Sequence, residues 1–216
     1  MTLAPIQVDV FSDLVCPWCF IGKRRLAKAI DLFGGPVEVR WRAFQLQPGL
    51  PPEGVPSREY FAARFGDAAT IDAMRARVAA EGEKDGIAFA FERIERFPNT
   101  LLAHRAVALA AEQGAGGAAE EALFAGHFER GLDLGDQAAV LATLEEAGVR
   151  VDAGALAAGG GAESVAADLA TARELGITGV PFFIADGRFA ISGALPPEHL
   201  VKLLQHARAQ RGAAAA

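Results

Sequence analysis

Cysteine is scarce in this chain: there are two in 216 residues, and they stand three positions apart as Cys16 and Cys19. Two cysteines so close cannot build a disulfide-stapled scaffold, so the fold must rest on a core. Long apolar runs are missing as well. No stretch approaches the ~18 apolar residues of a membrane span, and no membrane association is expected. Basic residues are in the minority, 21 Lys and Arg against 27 Asp and Glu, for a formal charge of −6. That balance leaves no electropositive footprint for a nucleic acid. The opening MTLAPIQVDVF has no basic segment ahead of an apolar one. A secretory signal is therefore not expected, and the expected location is cytoplasmic. In a reducing compartment, two neighbouring cysteines are present for chemistry or for a metal. What the chain does have is apolar content, 51% of residues, enough to fill a core. Its length suits one domain, or one domain carrying an insertion.

Hydrophobic patterning divides the chain into three parts. Ile6 to Phe11 read as a short strand. Ser12 to Val15 read as a loop, and Pro17 to Phe33 as a helix whose inner face carries Phe20, Leu26, Ala27, Ile30 and Phe33. Proline suits the first helical position because its missing N–H has no intrahelical partner there. Gly34-Gly35-Pro36 stops the helix, and Val37 to Leu46 read as a second strand with Val37, Val39, Trp41 and Ala43 on one face. From 57 to 176 the pattern is helical, with helices expected at 57–65, 68–81, 99–113, 118–130, 137–147 and 162–175. Ser57 and Asp136 stand as N-caps, and the phenylalanines of this region are expected to form their own small core. The end returns to strands. Phe182 to Ala185 and Arg188 to Ile191 flank a two-residue Asp186-Gly187 turn, and a last helix covers 196–210 before a frayed alanine tail.

The sharpest motif is Cys16-Pro17-Trp18-Cys19. A CxxC pair by itself fits either redox chemistry or half a zinc site. Zinc needs two further N or S ligands. There are no other cysteines, and His104, His127, His199 and His206 are scattered over separate helices or too far apart on one. Redox chemistry gains from placement, because the pair follows a strand and opens a helix. At a helix N-terminus, free backbone N–H groups and the macrodipole favour anionic sulfur. Cys16, expected to be exposed, benefits most and reads as the attacking sulfur. Cys19, one turn deeper, reads as the resolving one.

These residues carry a family resemblance. Ser12-Asp13-x-x-Cys16-Pro17-Trp18-Cys19-x-x-Gly22, Asn99-Thr100-x-x-Ala103-His104, Gly176-Ile177-Thr178-Gly179-Val180-Pro181-Phe182-Phe183 and Ser192-Gly193-Ala194 together resemble the DsbA-like thioredoxin-fold family, in its FrnE-type cytoplasmic branch. The resemblance implies an α/β thioredoxin fold, formed by 1–56 and 177–216, interrupted by an all-helical insertion at 57–176. It implies thiol–disulfide oxidoreductase or isomerase activity through Cys16 and Cys19 with no prosthetic group or metal. It also implies a cis-proline at Pro181 beside Cys16, with the Val180 backbone pairing with an extended substrate. Partners of this kind are disulfide-bearing proteins or peptides, or a low-molecular-weight thiol such as glutathione, acting as reductant or substrate.

The remaining candidates have two readings each. Trp18 and Pro17, inside the motif, read as substrate contacts, and for Trp18 this reads more naturally than core. His104 is either a satisfied, partly buried histidine or, with Asn99, part of a segment that roofs the cysteines and meets substrate. Lys23, Arg24 and Arg25 read as a solvated face that could favour thiolate. The rival enzyme class, kappa-class glutathione transferases and 2-hydroxychromene-2-carboxylate isomerases, shares the insertion architecture. By resemblance it carries serine where Cys16 stands and lacks the second cysteine.

Overall fold

The structure, a computed structural model, describes residues 4–214. Its elements run β1 (Ile6–Ser12), α1 (Pro17–Phe33), β2 (Val37–Ala43), β3 (Val55–Pro56), α2 (Ser57–Phe65), α3 (Ala68–Glu83), a 3₁₀ turn (Phe91–Arg93) and β4 (Arg96–Phe97). They continue α4 (Leu101–Ala111), α5 (Gly116–Arg130), α6 (Gln137–Glu146), α7 (Ala153–Ala157), α8 (Ala162–Glu174), β5 (Phe182–Ala185), β6 (Phe189–Ser192) and α9 (Pro197–Ala214). The main sheet has the order β2-β1-β5-β6. β1 and β2 are parallel, paired from Ile6↔Val37 to Ser12↔Ala43, with α1 as the crossover. β5 runs antiparallel to β1, and β6 antiparallel to β5. All four strands of this sheet therefore come from the two ends of the chain, and every helix from α2 to α8 lies between them in sequence. The region expected to be all-helical is not: β4 pairs antiparallel with β3, Val55↔Phe97 and Pro56↔Arg96, in a second, two-stranded sheet.

The alternation of β1 explains its central place. Ile6, Val8 and Val10 enter a core with Leu26, Ala29 and Phe33 of α1 and with Leu200, Leu203 and Leu204 of α9. On the opposite face, Phe11 packs with Ala172 of α8, Ile177 and Ile184. A strand buried on both sides has to be apolar at successive positions, as β1 is at its C-terminal end.

Several expectations need correction. Ala27 is exposed and Ala29 is buried, so the inner face of α1 is rotated from the one drawn by periodicity. β2 ends at Ala43, not Leu46, because other groups capture the next residues. The Ala43 N–H donates to Asp168 Oδ2 at 3.0 Å, the Leu46 N–H to Asp13 Oδ2 at 2.7 Å, and the Phe44 carbonyl accepts from His104 at 2.9 Å. Ser57 does not cap α2: it is the first helical residue, and its buried Oγ has no partner. Asp136 does cap α6, accepting from Ala138 and Ala139 N–H. The hairpin loop has three residues, since Ala185 pairs with Phe189, with Asp186 (φ 51°) and Gly187 (φ 66°) both left-handed. The last helix continues to Ala214, and the end of the expected alanine tail lies outside the described residues.

Lys23, Arg24 and Arg25 do not form a solvated face. Arg25 is buried, with its Nε donating to Asp85 at 2.7 Å and further bonds to Glu81 and to the Ala194 carbonyl. Lys23 donates to the Gly117 carbonyl at 2.9 Å, and Arg24 pairs with Glu121 at 2.6 Å. The three residues tie α1 to the helical region.

The helical region also has no core of its own. Phe20 of α1 stacks on Phe124 at 5.2 Å between centroids and on Phe128 at 6.3 Å, and meets Phe89 edge-on at 6.2 Å. Leu14, Val15, Cys16 and Cys19 belong to the same cluster. Phe20 should therefore bear on global stability. Phe20→Ala is expected to lower unfolding free energy by about 3–5 kcal/mol, read as a shift of the urea midpoint. A shift of a few tenths would mean that the two regions do not share this core.

Candidate active site

Cys16 is the N-cap residue of α1, with φ −93° and ψ 108°, and Pro17 holds the first helical position. The geometry follows from the preceding loop: the Cys16 N–H donates to the Asp13 carbonyl at 2.8 Å, and the Cys16 carbonyl accepts from the Cys19 N–H at 3.0 Å. Cys16 sits at the positive end of the helix dipole. Its thiol donates to the Val180 carbonyl at 3.7 Å, a contact between residues 164 positions apart in sequence. The Val180–Pro181 peptide is cis. Gly22 leaves room for this approach, since a Cβ there would lie 2.9 Å from Pro181 Cγ and 3.2 Å from Phe183 Cζ. Thus α1 lies directly on the Pro181 loop, and the ends of the chain meet at the cysteines.

Both cysteines are free and both are buried. Cys16, expected to be exposed, is only 6% exposed, because Val180 and the helical region close over it. Cys19 is 1% exposed. Burial, followed by the hydrogen bond and charge of neighbouring Cys16, pushes its thiol well above the ordinary range. The two differ in access. Cys16, with Val15, Pro17 and Trp18, lines a cavity of about 500 Å³, and Cys19 does not. Trp18 is half-buried, forming cavity wall and core edge at once.

His104 lies elsewhere than a substrate contact would. Its ring is 2% exposed, and Nε2 is 2.9 Å from the Phe44 carbonyl and 3.3 Å from Asp13 Oδ1. Two acceptors on one nitrogen place the proton on Nε2. Burial pushes the imidazole pKa down, but the hydrogen bond and charge of Asp13 outweigh it, and the value lies above the ordinary one. Asn99 likewise braces backbone, donating to the Leu50 carbonyl at 2.7 Å and accepting from Gln45 and the Leu101 N–H. Both residues position the loops around the cysteines, and neither lines the cavity beside Cys16. Two residues to which the sequence reading gave no role stand out. Asp13, fully buried, joins the Cys16 loop to Leu46 and His104. Its signal was its place three residues before Cys16. Glu120 of α5 is 1% exposed, its Oε2 has no partner, and burial raises it to about 7 despite the opposing charges of His104 and Lys23. Nothing in its helical neighbourhood marks it in sequence.

The chain matches the DSBA-like thioredoxin domain over residues 7–205. It is 29% identical over 148 residues to the uncharacterized protein YwbO of Bacillus subtilis (strain 168), a match covering 67% of each chain. Among solved structures, it resembles the probable DsbA oxidoreductase SCO1869 of Streptomyces coelicolor. That likeness has TM-score 0.84 and 32% identity, covering 94% of this chain and 90% of the other. It shares its fold with a 2-hydroxychromene-2-carboxylate isomerase, at TM-score 0.66 and 17% identity over 97% and 98% of the two chains. Among the described residues, no helix is long and apolar enough to cross a membrane.

Glu120 makes stability depend on pH with a definite sign. Unfolded, a glutamate titrates near ~4.3; folded, this one titrates at about 7. Between those values the folded state holds a proton that the unfolded state has lost. Its contribution is complete below the unfolded value and is lost as pH rises through about 7. His104 acts in the same direction, its contribution lost as pH rises from the ordinary imidazole value through the raised one. Urea unfolding should show lower stability at alkaline pH than at mildly acidic pH. Glu120→Gln is expected to remove most of that slope and to stabilise the alkaline state by on the order of 2 kcal/mol. An unchanged slope would refute the assignment.

Proposed function

The chain belongs to the DSBA-like thioredoxin domain family, and from that membership we propose that it is a thiol–disulfide oxidoreductase working in the reducing or isomerising direction in the cytoplasm. The observation that carries the proposal is the unequal placement of the pair: Cys16 caps α1, lines the cavity and touches Val180, while Cys19 is shut in behind it. A single accessible sulfur backed by a buried one is what a two-step exchange requires. The resemblance to SCO1869 of Streptomyces coelicolor, described as a probable DsbA oxidoreductase, points the same way. The likeness to the 2-hydroxychromene-2-carboxylate isomerase is one of fold, and Cys16 stands where that class, by resemblance, carries serine.

The exchange runs as follows. Thiolate Cys16 attacks one sulfur of a substrate disulfide, the substrate S–S bond breaks, and one substrate thiolate leaves and takes up a proton. Cys19 gives up its proton, attacks Cys16 Sγ and releases the second substrate thiol, leaving a Cys16–Cys19 disulfide. Two electrons pass to the substrate, and a low-molecular-weight thiol such as glutathione, or a dithiol protein, returns them. In isomerisation the mixed disulfide is attacked by another substrate thiol, and the pair ends reduced. The Val180 backbone beside cis Pro181 is suited to align an extended disulfide-bearing segment by β-type hydrogen bonds, with Pro17 and Trp18 on its other side.

The pair's division of labour is testable. Cys16→Ser should abolish disulfide reduction. Cys19→Ser should accumulate a mixed disulfide on Cys16, seen by mass spectrometry after incubation with a disulfide peptide. An adduct on Cys19 in the Cys16→Ser protein, with none on Cys16 in the other variant, would reverse the roles.

A further inference from the structure

The cavity beside Cys16 runs between the N-terminal end of α1 and the α2–α3 pair. Its walls are largely aromatic and aliphatic. Tyr60 stacks on Phe97 at 3.8 Å, Phe61 meets Phe97 edge-on at 5.7 Å, and Met74, Val78 and Phe128 complete the apolar lining. Its volume is in the range of small-molecule pockets, ~300–1,000 Å³. Two guanidinium groups, Arg64 of α2 and Arg75 of α3, also line it. No aspartate or glutamate does, although the chain carries a net charge of −6. Among the described residues, neither arginine has a carboxylate within ion-pair distance. Arg75 lies over the faces of Phe61 at 4.8 Å and Phe91 at 5.9 Å, and its buried Nε has no hydrogen-bond partner. The basic groups of α1 are engaged elsewhere, Lys23 with the Gly117 carbonyl, Arg24 with Glu121, and Arg25 and Lys28 with Asp85.

Resting on the redox reading above, we infer that the substrate disulfide of Cys16 is a small one whose halves are apolar, aromatic carboxylates, with the ring held among Phe61, Tyr60 and Trp18 and the carboxylate received by Arg75 and Arg64. An apolar pocket alone gives no orientation. A pocket with two unpaired guanidinium groups and no acid fixes which end of the ligand lies away from the sulfur. The exchange is that written above, with the two substrate thiols released as aryl thiol carboxylates and the electrons returned by a thiol reductant. Glutathione disulfide, anionic but polar throughout, fits the charge and not the walls. It is therefore expected as a poor substrate of this pocket, while reduced glutathione stays competent as the returning reductant.

The test separates the pocket from the chemistry. Reduced protein is mixed with dithiobis(nitrobenzoate), whose halves are aromatic carboxylates; with dithiodipyridine, aromatic and uncharged at neutral pH; and with oxidised glutathione. Iodoacetamide alkylation gives the intrinsic reactivity of Cys16. The double variant Arg64→Ala, Arg75→Ala is expected to lose at least about tenfold in rate with dithiobis(nitrobenzoate), and less than about twofold with dithiodipyridine and iodoacetamide. Phe61→Ala should slow both aromatic disulfides. No loss in the double variant, or an equal loss with every reagent including iodoacetamide, would overturn the inference. The second measurement uses the Cys16→Ser, Cys19→Ser protein and naphthoate, which has no sulfur, with binding read from quenching of Trp18 in the cavity wall. Salt-sensitive binding that the two arginine substitutions abolish supports the pocket even if no disulfide reacts, in which case the redox reading alone falls. Exchange without naphthoate binding leaves the redox reading standing and sinks the substrate class. So does displacement of naphthoate by an uncharged aliphatic peptide disulfide that ignores the arginines, which would assign the cavity to a polypeptide side chain.

Discussion

The buried carboxylate of Asp13 is the constraint on which the site depends. Its residue supplies the carbonyl that fixes Cys16 at the head of α1, and its two side-chain oxygens reach in different directions. One accepts from the Leu46 N–H and the other faces His104 of α4. Three stretches of chain, from the first strand, the second strand and the helical region, therefore meet on one group. An unpaired carboxylate in such a place would be costly to desolvate. Here a backbone donor and an imidazole proton satisfy it, and the cost becomes a preference for one arrangement of loops. The Cys16–Val180 contact and the seat of Pro181 over Gly22 follow from where that arrangement puts the start of α1.

The second organising feature is the absence of a boundary between sheet and helices. α1 is common to both cores: Leu26, Ala29 and Phe33 face the sheet and α9, while Cys19, Phe20 and Ile21 face the helical region. The residues that carry the chemistry thus lie on an element packed from both sides, which suits a site needing fixed sulfur positions. The aromatic run through Phe20, Phe124, Phe128, Phe89 and Phe91 continues to the cavity beside Cys16, so the cluster that joins the two regions also lines that cavity.

Much of this could be read in the sequence, and what could not has a common cause. The strand–helix–strand opening, the Asp136 cap and the paired final strands are local patterns, and local patterns survive in sequence. The placement of Cys16 at a helix head followed from Pro17 and the preceding apolar strand. The errors concern long-range contacts. Cys16 looked exposed because no local rule reveals Val180 above it. Lys23 to Arg25 looked solvated because Glu81, Asp85 and Gly117 are distant in the chain. For His104 the sequence left two readings open, and only its long-range partners, Asp13 and the Phe44 carbonyl, select the satisfied, buried one. β2 stopped early because side chains from α4, α8 and the Cys16 loop took up the groups that a longer strand would have used. Ser57 shows that a capping residue at the right offset is only an opportunity.

The 6% exposure of Cys16 has a consequence for the company this protein keeps. Under the exchange proposed above, a sulfur so enclosed would favour slender partners, a small molecule or a loosened segment, over a disulfide held flat in a folded surface. The recess would then sort encounters by shape before any electron moves.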